Sequence, residues 1–310
     1  MYLSLSIYRQ IDRQPDLDHS WLLIKNSFLG TGAISLTVII ILMMGNWGIE
    51  ALKWKWAIEK IQPISYLKSL KAIFSGVSFS VTTPNRVGEY LGRVLYMKEG
   101  NRLKAVSLTI VCSISQLLVT LWMGLMALII LKPRIESSQM ITGFWLELLI
   151  SGVAIACMIL TLFYFRLSWM VRWIDRLPGS YRFSWLINAI EDFNATLLFK
   201  LLSLSIIRFG IFCMQYYLMF RLFGVEVMWW QGFWAISLSF LILAVIPSIA
   251  LADLGLRGEV TIKLFGLFSS NVLAITISTA AIWFINLVIP AIIGSLLILS
   301  IKIFANRNEV

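Results

Sequence analysis

The chain has 310 residues, 59% of them hydrophobic and 14% charged, with a formal net charge of +10. Soluble domains carry roughly 25% charged residues, so this composition excludes a water-soluble fold. The lone histidine, His19, excludes a histidine-based metal site or a His-driven catalytic triad, and no cofactor or metal is expected.

In chain order, a polar segment over 1–26 mixes Arg9, Asp12, Arg13, Asp16, Asp18 and Lys25, which is not the layout of a cleavable signal. A single membrane domain is expected over 27–305, with a polar tail at 306–310. Within it, apolar runs place spans near 27–50, 66–83, 105–131, 141–165, 197–222, 231–250 and 271–304. Each crossing needs roughly 20 apolar residues, and the runs do not alternate as barrel strands do. The fold class is therefore all-α, a polytopic helical membrane bundle of about seven or eight spans. The last stretch is interrupted by Asn286 and Pro290 and reads as one kinked span or two short ones. Cys112, Cys157 and Cys213 each sit inside an apolar run, so they read as small core residues rather than a disulfide framework.

Loops rich in Lys and Arg stay cytoplasmic, which places 86–104 and 166–200 inside. Lys53, Lys55, Lys60, Lys68 and Lys71 also favour the cytoplasm. That works if 66–83 enters and leaves on one face, and fails if it crosses fully. The stretch 166–196 alternates Trp169, Trp173 and Trp185 with arginines, the pattern of an interfacial helix. Trp47, Trp54, Trp56, Trp229, Trp230 and Trp234 fall at run ends and read as interfacial belts. The excess positive charge lies between apolar runs, so anionic lipid head groups, not nucleic acid, are the expected partner.

Two segments break the apolar pattern: Thr82 to Arg93, reading TTPNRVGEYLGR, and Pro247 to Glu259, reading PSIALADLGLRGE. Both hold Pro, Gly, Arg and an acid, and their recurrence about 170 residues apart is what two pseudo-repeats with discontinuous helices would give. Re-entrant or broken helices are thus expected at 66–93 and 247–268. The plainer reading makes each segment an interfacial helix end. Arg208, flanked by about ten apolar-rich residues on either side, must face the bundle interior, because a buried Arg costs about 2.5–3.5 kcal/mol on insertion scales. Glu89, Asp253 or Glu259 is its expected partner, as a lipid-binding group or as a salt-bridge staple between helices. A guanidinium forks onto phosphate, so Arg86, Arg208 and Arg257 together are candidates to hold a lipid head group.

TPNRVGEYLGR resembles the P-G-R-x-G-E motif of the lysylphosphatidylglycerol synthase transmembrane-region family, also called the flippase-like domain. PSIALADLGLRGE is similar to that family's second motif, P-x-x-G-G-x-G-x-R-E. The resemblance covers nearly the whole chain and implies site residues Pro84, Arg86, Gly88, Glu89 and Arg93, then Pro247, Gly255 and Arg257, beside Arg208, Asp253 and Glu259 read from the residues themselves. Asn85 stands for the usual Gly, Ala252 and Asp253 for paired glycines, and Gly258 for the acid after Arg. Where relatives carry a Glu-Arg pair after the first motif, this chain has Ser113, Ile114, Ser115 and Gln116. The soluble aminoacyl-transferase domain of the best-known relatives is missing from these 310 residues, so lipid synthesis is not expected. The resemblance implies a bacterial inner membrane protein that binds and moves an amphipathic anionic lipid. One alternative is a non-catalytic partner delivering a lipid intermediate to a separate synthase or glycosyltransferase. Another is a membrane-embedded lipid-modifying enzyme with Glu89 or Asp253 as base; no nucleophile and base pair or clustered metal-binding aspartates support it.

Overall fold

The computed structural model describes residues 30–84, 87–166, 195–247 and 250–307. Most of the expected interfacial helix at 166–196, the N-terminal segment 1–26 and Arg86 lie outside them. The described elements are helical, as hydrocarbon demands when each unpaired backbone group costs several kcal/mol. They are α1 (Thr31–Ile58), α2 (Tyr66–Ser80), α3 (Gly88–Val94), α4 (Arg102–Ser137), α5 (Gly143–Phe165), α6 (Ala195–Leu222), α7 (Trp229–Val245), α8 (Ala250–Phe265), α9 (Val272–Trp283) and α10 (Ile289–Arg307).

Among the described residues, five helical runs are long and apolar enough to cross a membrane: Gly32–Ile58, Glu99–Ser137, Gly143–Phe165, Ala195–Leu222 and Val272–Ser300. The shorter apolar α7 has 17 residues. At about 1.5 Å per residue, the 15 residues of α2 and the 16 of α8 fall short of a core about 30 Å thick. The chain is therefore a polytopic helical membrane bundle with broken elements at the two stretches where they are expected. The last apolar stretch is one helical run: a π-helical turn, Phe284–Val288, joins α9 to α10. That wider turn sits directly before Pro290, whose ring has no N–H to offer, and the Asn286 Nδ2 donates to the Ile282 carbonyl at 3.1 Å.

The helix α1 runs on to Ile58, not to residue 50, and this changes what lies at its end. Trp54 and Ile58 are fully buried, and the Trp54 indole donates to Thr109 Oγ1 at 3.0 Å. Trp47 and Trp234 are likewise buried, so these three are core residues and not interfacial anchors, whereas Trp229 and Trp230 are exposed as expected. The cysteines Cys112, Cys157 and Cys213 are buried and free.

The chain divides into two compact units. One comprises Met1–Gly45, Thr120–Ala156 and Phe209–Asn286. Its core is aromatic: Phe240 meets Phe209 and Tyr216 edge-on at 5.7 Å, and Phe220 lies 4.3 Å from Phe265. The Gln215 side chain of α6 donates to the Ile39 carbonyl of α1 at 3.0 Å. The other unit comprises Asn46–Val119, Cys157–Arg208 and Leu287–Val310. Its helices are tied by buried polar bonds, with Ser69 donating to the Ala51 carbonyl at 2.6 Å and Tyr164 to the Leu198 carbonyl at 2.8 Å.

Candidate functional site

Positions three, four and seven apart share a helix face, so Asn46, Glu50 and Lys53 form a polar stripe on α1. All three are buried. Glu50 is the hub: its Oε1 accepts from Arg93 Nη2 at 3.0 Å, and its Oε2 accepts from Arg208 Nη1 and faces Lys53 Nζ at 3.1 Å. Arg93 Nη2 also donates to Glu89 Oε2 at 3.2 Å. Arg208 Nε donates to Asn46 Oδ1 at 2.9 Å, its Nη1 lies 3.5 Å from Gln116 Oε1, and its guanidinium carbon sits 5.8 Å from the centre of the Trp47 ring. Lys53 also donates to the Cys112 carbonyl at 3.1 Å and to Ser205 Oγ at 3.2 Å, and Ser205 in turn meets Ser115 Oγ at 2.9 Å. Charges taken this far from water are tolerable when paired and hydrogen-bonded on several sides, and that is the arrangement here.

Arg93 and Glu89 reach this hub on the α2–α3 hairpin. Ser65 caps α2 by accepting from the Lys68 N–H at 3.2 Å. At the other end the Thr82 and Thr83 hydroxyls turn back to the Phe79 carbonyl, and Thr83 Oγ1 accepts from the Gly88 N–H at 2.8 Å, holding the start of α3. The two helices then meet backbone to backbone. A Cβ at Gly76 would stand 2.8 Å from the Glu89 carbonyl oxygen, and one at Gly92 would strike the Gly76 backbone. Gly294 of α10 meets the Phe74 carbonyl in the same way, and Ser78 pairs with Ser295 at 2.6 Å. Gly88 is part of this close approach and Pro84 lies exposed in the turn.

The acid that meets Arg208 is thus Glu50, where Glu89, Asp253 or Glu259 was expected. Glu89 faces Arg93 instead. Lys53, expected to seek the cytoplasm, is buried at 1% exposure inside the cluster. Glu50, Lys53 and Asn46 do not stand out in the sequence as site residues because hydropathy ends the span near residue 50. The signal that reveals them is the Glu50–Lys53 pair at i and i+3 between Trp47 and Trp54, an acid and a base that neutralise each other on one helix face.

The second motif lies in the other unit, on and before α8. Arg257 Nε donates to Asp253 Oδ2 at 2.7 Å and Lys263 faces Glu259 Oε1 at 3.4 Å, both one helical turn apart. Pro247 is exposed directly after α7, and Gly255 lies half-buried between Asp253 and Arg257. Asp253 stands where the motif carries glycine, and it is the acid that pairs with Arg257. Glu89, Arg93 and Arg208 are therefore gathered in one cluster, and Asp253, Gly255, Arg257 and Glu259 on one short helix.

No curated protein and no solved structure matches the chain. The family model described as the lysylphosphatidylglycerol synthase TM region matches residues 19–295, a span that takes in both motifs, the α2–α3 hairpin and every residue of the buried cluster. By that match the chain belongs to the lysylphosphatidylglycerol synthase transmembrane-region family, as a multi-pass membrane protein related to lipid handling.

Proposed function

We propose that the protein is a flippase-like translocator in the plasma membrane that binds an amphipathic anionic lipid and carries its head group past the hydrocarbon core. The observation that carries this reading is the α2–α3 hairpin. A broken, glycine-packed element brings Glu89 and Arg93 of the first motif onto a buried ion cluster shared with two membrane-crossing helices, α1 and α6. Intramembrane ionisable residues are costly and mark pathways for substrates and ions, and discontinuous helices supply binding sites in transporters. A chain built only to anchor would gain nothing from five charged groups at this depth, since well-packed apolar side chains are as stable or more so.

The test is a scrambling assay in proteoliposomes containing the purified protein, with fluorescent anionic and neutral lipids, comparing wild type with Arg86→Ala and Glu89→Ala. Movement of an anionic lipid by wild type and its loss in the variants is the expected result. No movement on any lipid overturns the translocator reading, and capture of a companion lipid-modifying enzyme then becomes the experiment to run.

A further inference from the structure

The α2–α3 hairpin is rigid in itself and is held by its two neighbours in different ways. Internally, a Cβ at Gly92 would stand 2.3 Å from the Gly76 nitrogen and one at Gly88 2.2 Å from the Phe79 carbonyl oxygen, and the Ser75 and Tyr96 hydroxyls meet at 2.9 Å. A pair of helices packed this closely moves as one piece. Toward α1 the hairpin is locked, by the Arg93–Glu50 ion pair at 3.0 Å and by the Ser69 hydroxyl on the Ala51 carbonyl. Toward α10 the contact is extensive but smooth. A Cβ at Gly294 would stand 1.9 Å from the Phe74 carbonyl oxygen, and Ser78 and Ser295 share one hydroxyl bond of 2.6 Å. Glycine and serine let helix backbones approach closely, and a glycine has no side chain to interlock. Phe74 is gripped from both sides: its ring meets Trp47 of α1 edge-on at 6.3 Å, and its carbonyl lies under Gly294 of α10.

The helix α10 also carries a joint. It follows the π-helical turn Phe284–Val288, and Pro290, four residues after Asn286, returns no N–H to the Asn286 carbonyl. Helices bend at prolines and at π-helical turns, where the hydrogen-bond ladder is already interrupted. One face of α10 carries Ile292, Leu296 and Leu299, each more than half exposed, so an outward swing meets lipid chains rather than protein. We propose that α10 is a pivoting strap that turns about the π-helical turn. In the closed position, the one described here, Gly294 sits on Phe74. In the open position the Ser78–Ser295 bond parts, the Phe74 backbone is released, and the hairpin is free to leave α1. The swing stands on the seam and the joint alone, whereas its use as a gate rests on the translocator reading.

The experiment uses the full chain in two forms. Spin labels on Leu67→Cys and Leu299→Cys, at exposed positions of α2 and α10, report their separation by pulsed electron paramagnetic resonance in nanodiscs of phosphatidylglycerol and phosphatidylcholine. The native cysteines are buried. Two distances are expected, and Pro290→Ala, which restores the missing N–H, is expected to reduce the longer population about threefold. A single distance overturns the swing, and a longer population unchanged in P290A overturns the π-helical turn as its pivot. The second form is Ser78→Cys with Ser295→Cys, whose hydroxyls at 2.6 Å place two sulfurs within reach of a bond of about 2.05 Å; each single variant is the control. Copper–phenanthroline is expected to crosslink the pair and to slow lipid scrambling in proteoliposomes about tenfold, with recovery on reduction. A pair that does not crosslink overturns the seam, and a crosslinked protein that scrambles at the wild-type rate overturns the gate and leaves the translocator reading standing. A wild type that shows two distances and scrambles no lipid overturns the translocator reading and leaves the swing standing.

Discussion

Replacing Glu50 by Gln keeps the shape of the hub and removes its charge. Three cations then face Glu89 alone, and Glu89 touches only Arg93 among them. Removing one member of a buried ion pair costs about 3–5 kcal/mol because its partner is left charged and unsolvated. Here one carboxylate serves Arg93, Arg208 and Lys53 together, so the upper part of that range applies. At about 2.1 cal/mol/K of unfolding entropy per residue, the 310 residues shift by about 1.5 °C per kcal/mol, so the thermal midpoint of purified Glu50→Gln in detergent is expected to fall by roughly 6–8 °C. The double variant Glu50→Gln/Arg208→Gln removes one of the stranded cations and is expected to recover part of the loss. A Glu50→Gln midpoint within about 1 °C of wild type, inside the ±0.5 kcal/mol typical of an ordinary surface change, would refute the claim that this carboxylate organises the cluster.

The hairpin makes two further predictions. Gly92→Ala puts a Cβ into the Gly76 backbone, whereas a Cβ at Gly100 meets nothing within 4 Å; overpacking typically costs about 1–3 kcal/mol, so thermal denaturation is expected to separate a destabilised Gly92→Ala from an unchanged Gly100→Ala. Thr83→Ala removes the acceptor for the Gly88 N–H, the equivalent of losing a helix cap at about 1 kcal/mol, and hydrogen exchange is expected to show faster opening of 88–94 with the rest of the chain unchanged.

Much of the architecture is legible from hydropathy alone, because a bilayer admits so few ways of pairing a backbone. Long apolar runs become helices, and stretches holding Pro, Gly and an ion pair become short ones, as α2, α3 and α8 show. Glu89, Arg93 and Arg208 are also legible, since each stands out as a charge beside apolar residues. Their mutual arrangement is not, because it depends on which faces of α1 and α6 meet. Glu50 and Lys53 look like the polar flank of a span that has just ended. Only the burial of Trp54 and Ile58 beyond them shows that the helix has not yet left the core. The π-helical turn at Phe284–Val288 is hidden for a similar reason: Pro290 marks a break in the pattern, but a wider turn that absorbs the proline without ending the helix is a choice made by packing.

The Glu50–Lys53 pair has a consequence for how the chain is made. Helices enter a bilayer in order of synthesis, and α1 carries its acid and base one turn apart, so it brings little net charge into the lipid. The helix α6 arrives much later with Arg208 and no carboxylate of its own in its sequence. Its cost of about 2.5–3.5 kcal/mol is offset by Glu50, already resident in the membrane. Insertion of the Ala195–Leu222 helix is therefore expected to be more efficient with α1 upstream than alone, and to lose that advantage with Glu50→Gln, as a glycosylation-mapped insertion assay would read. Biogenesis is in this sense templated: α1 holds in reserve the counter-charge that a helix made about 150 residues later will need.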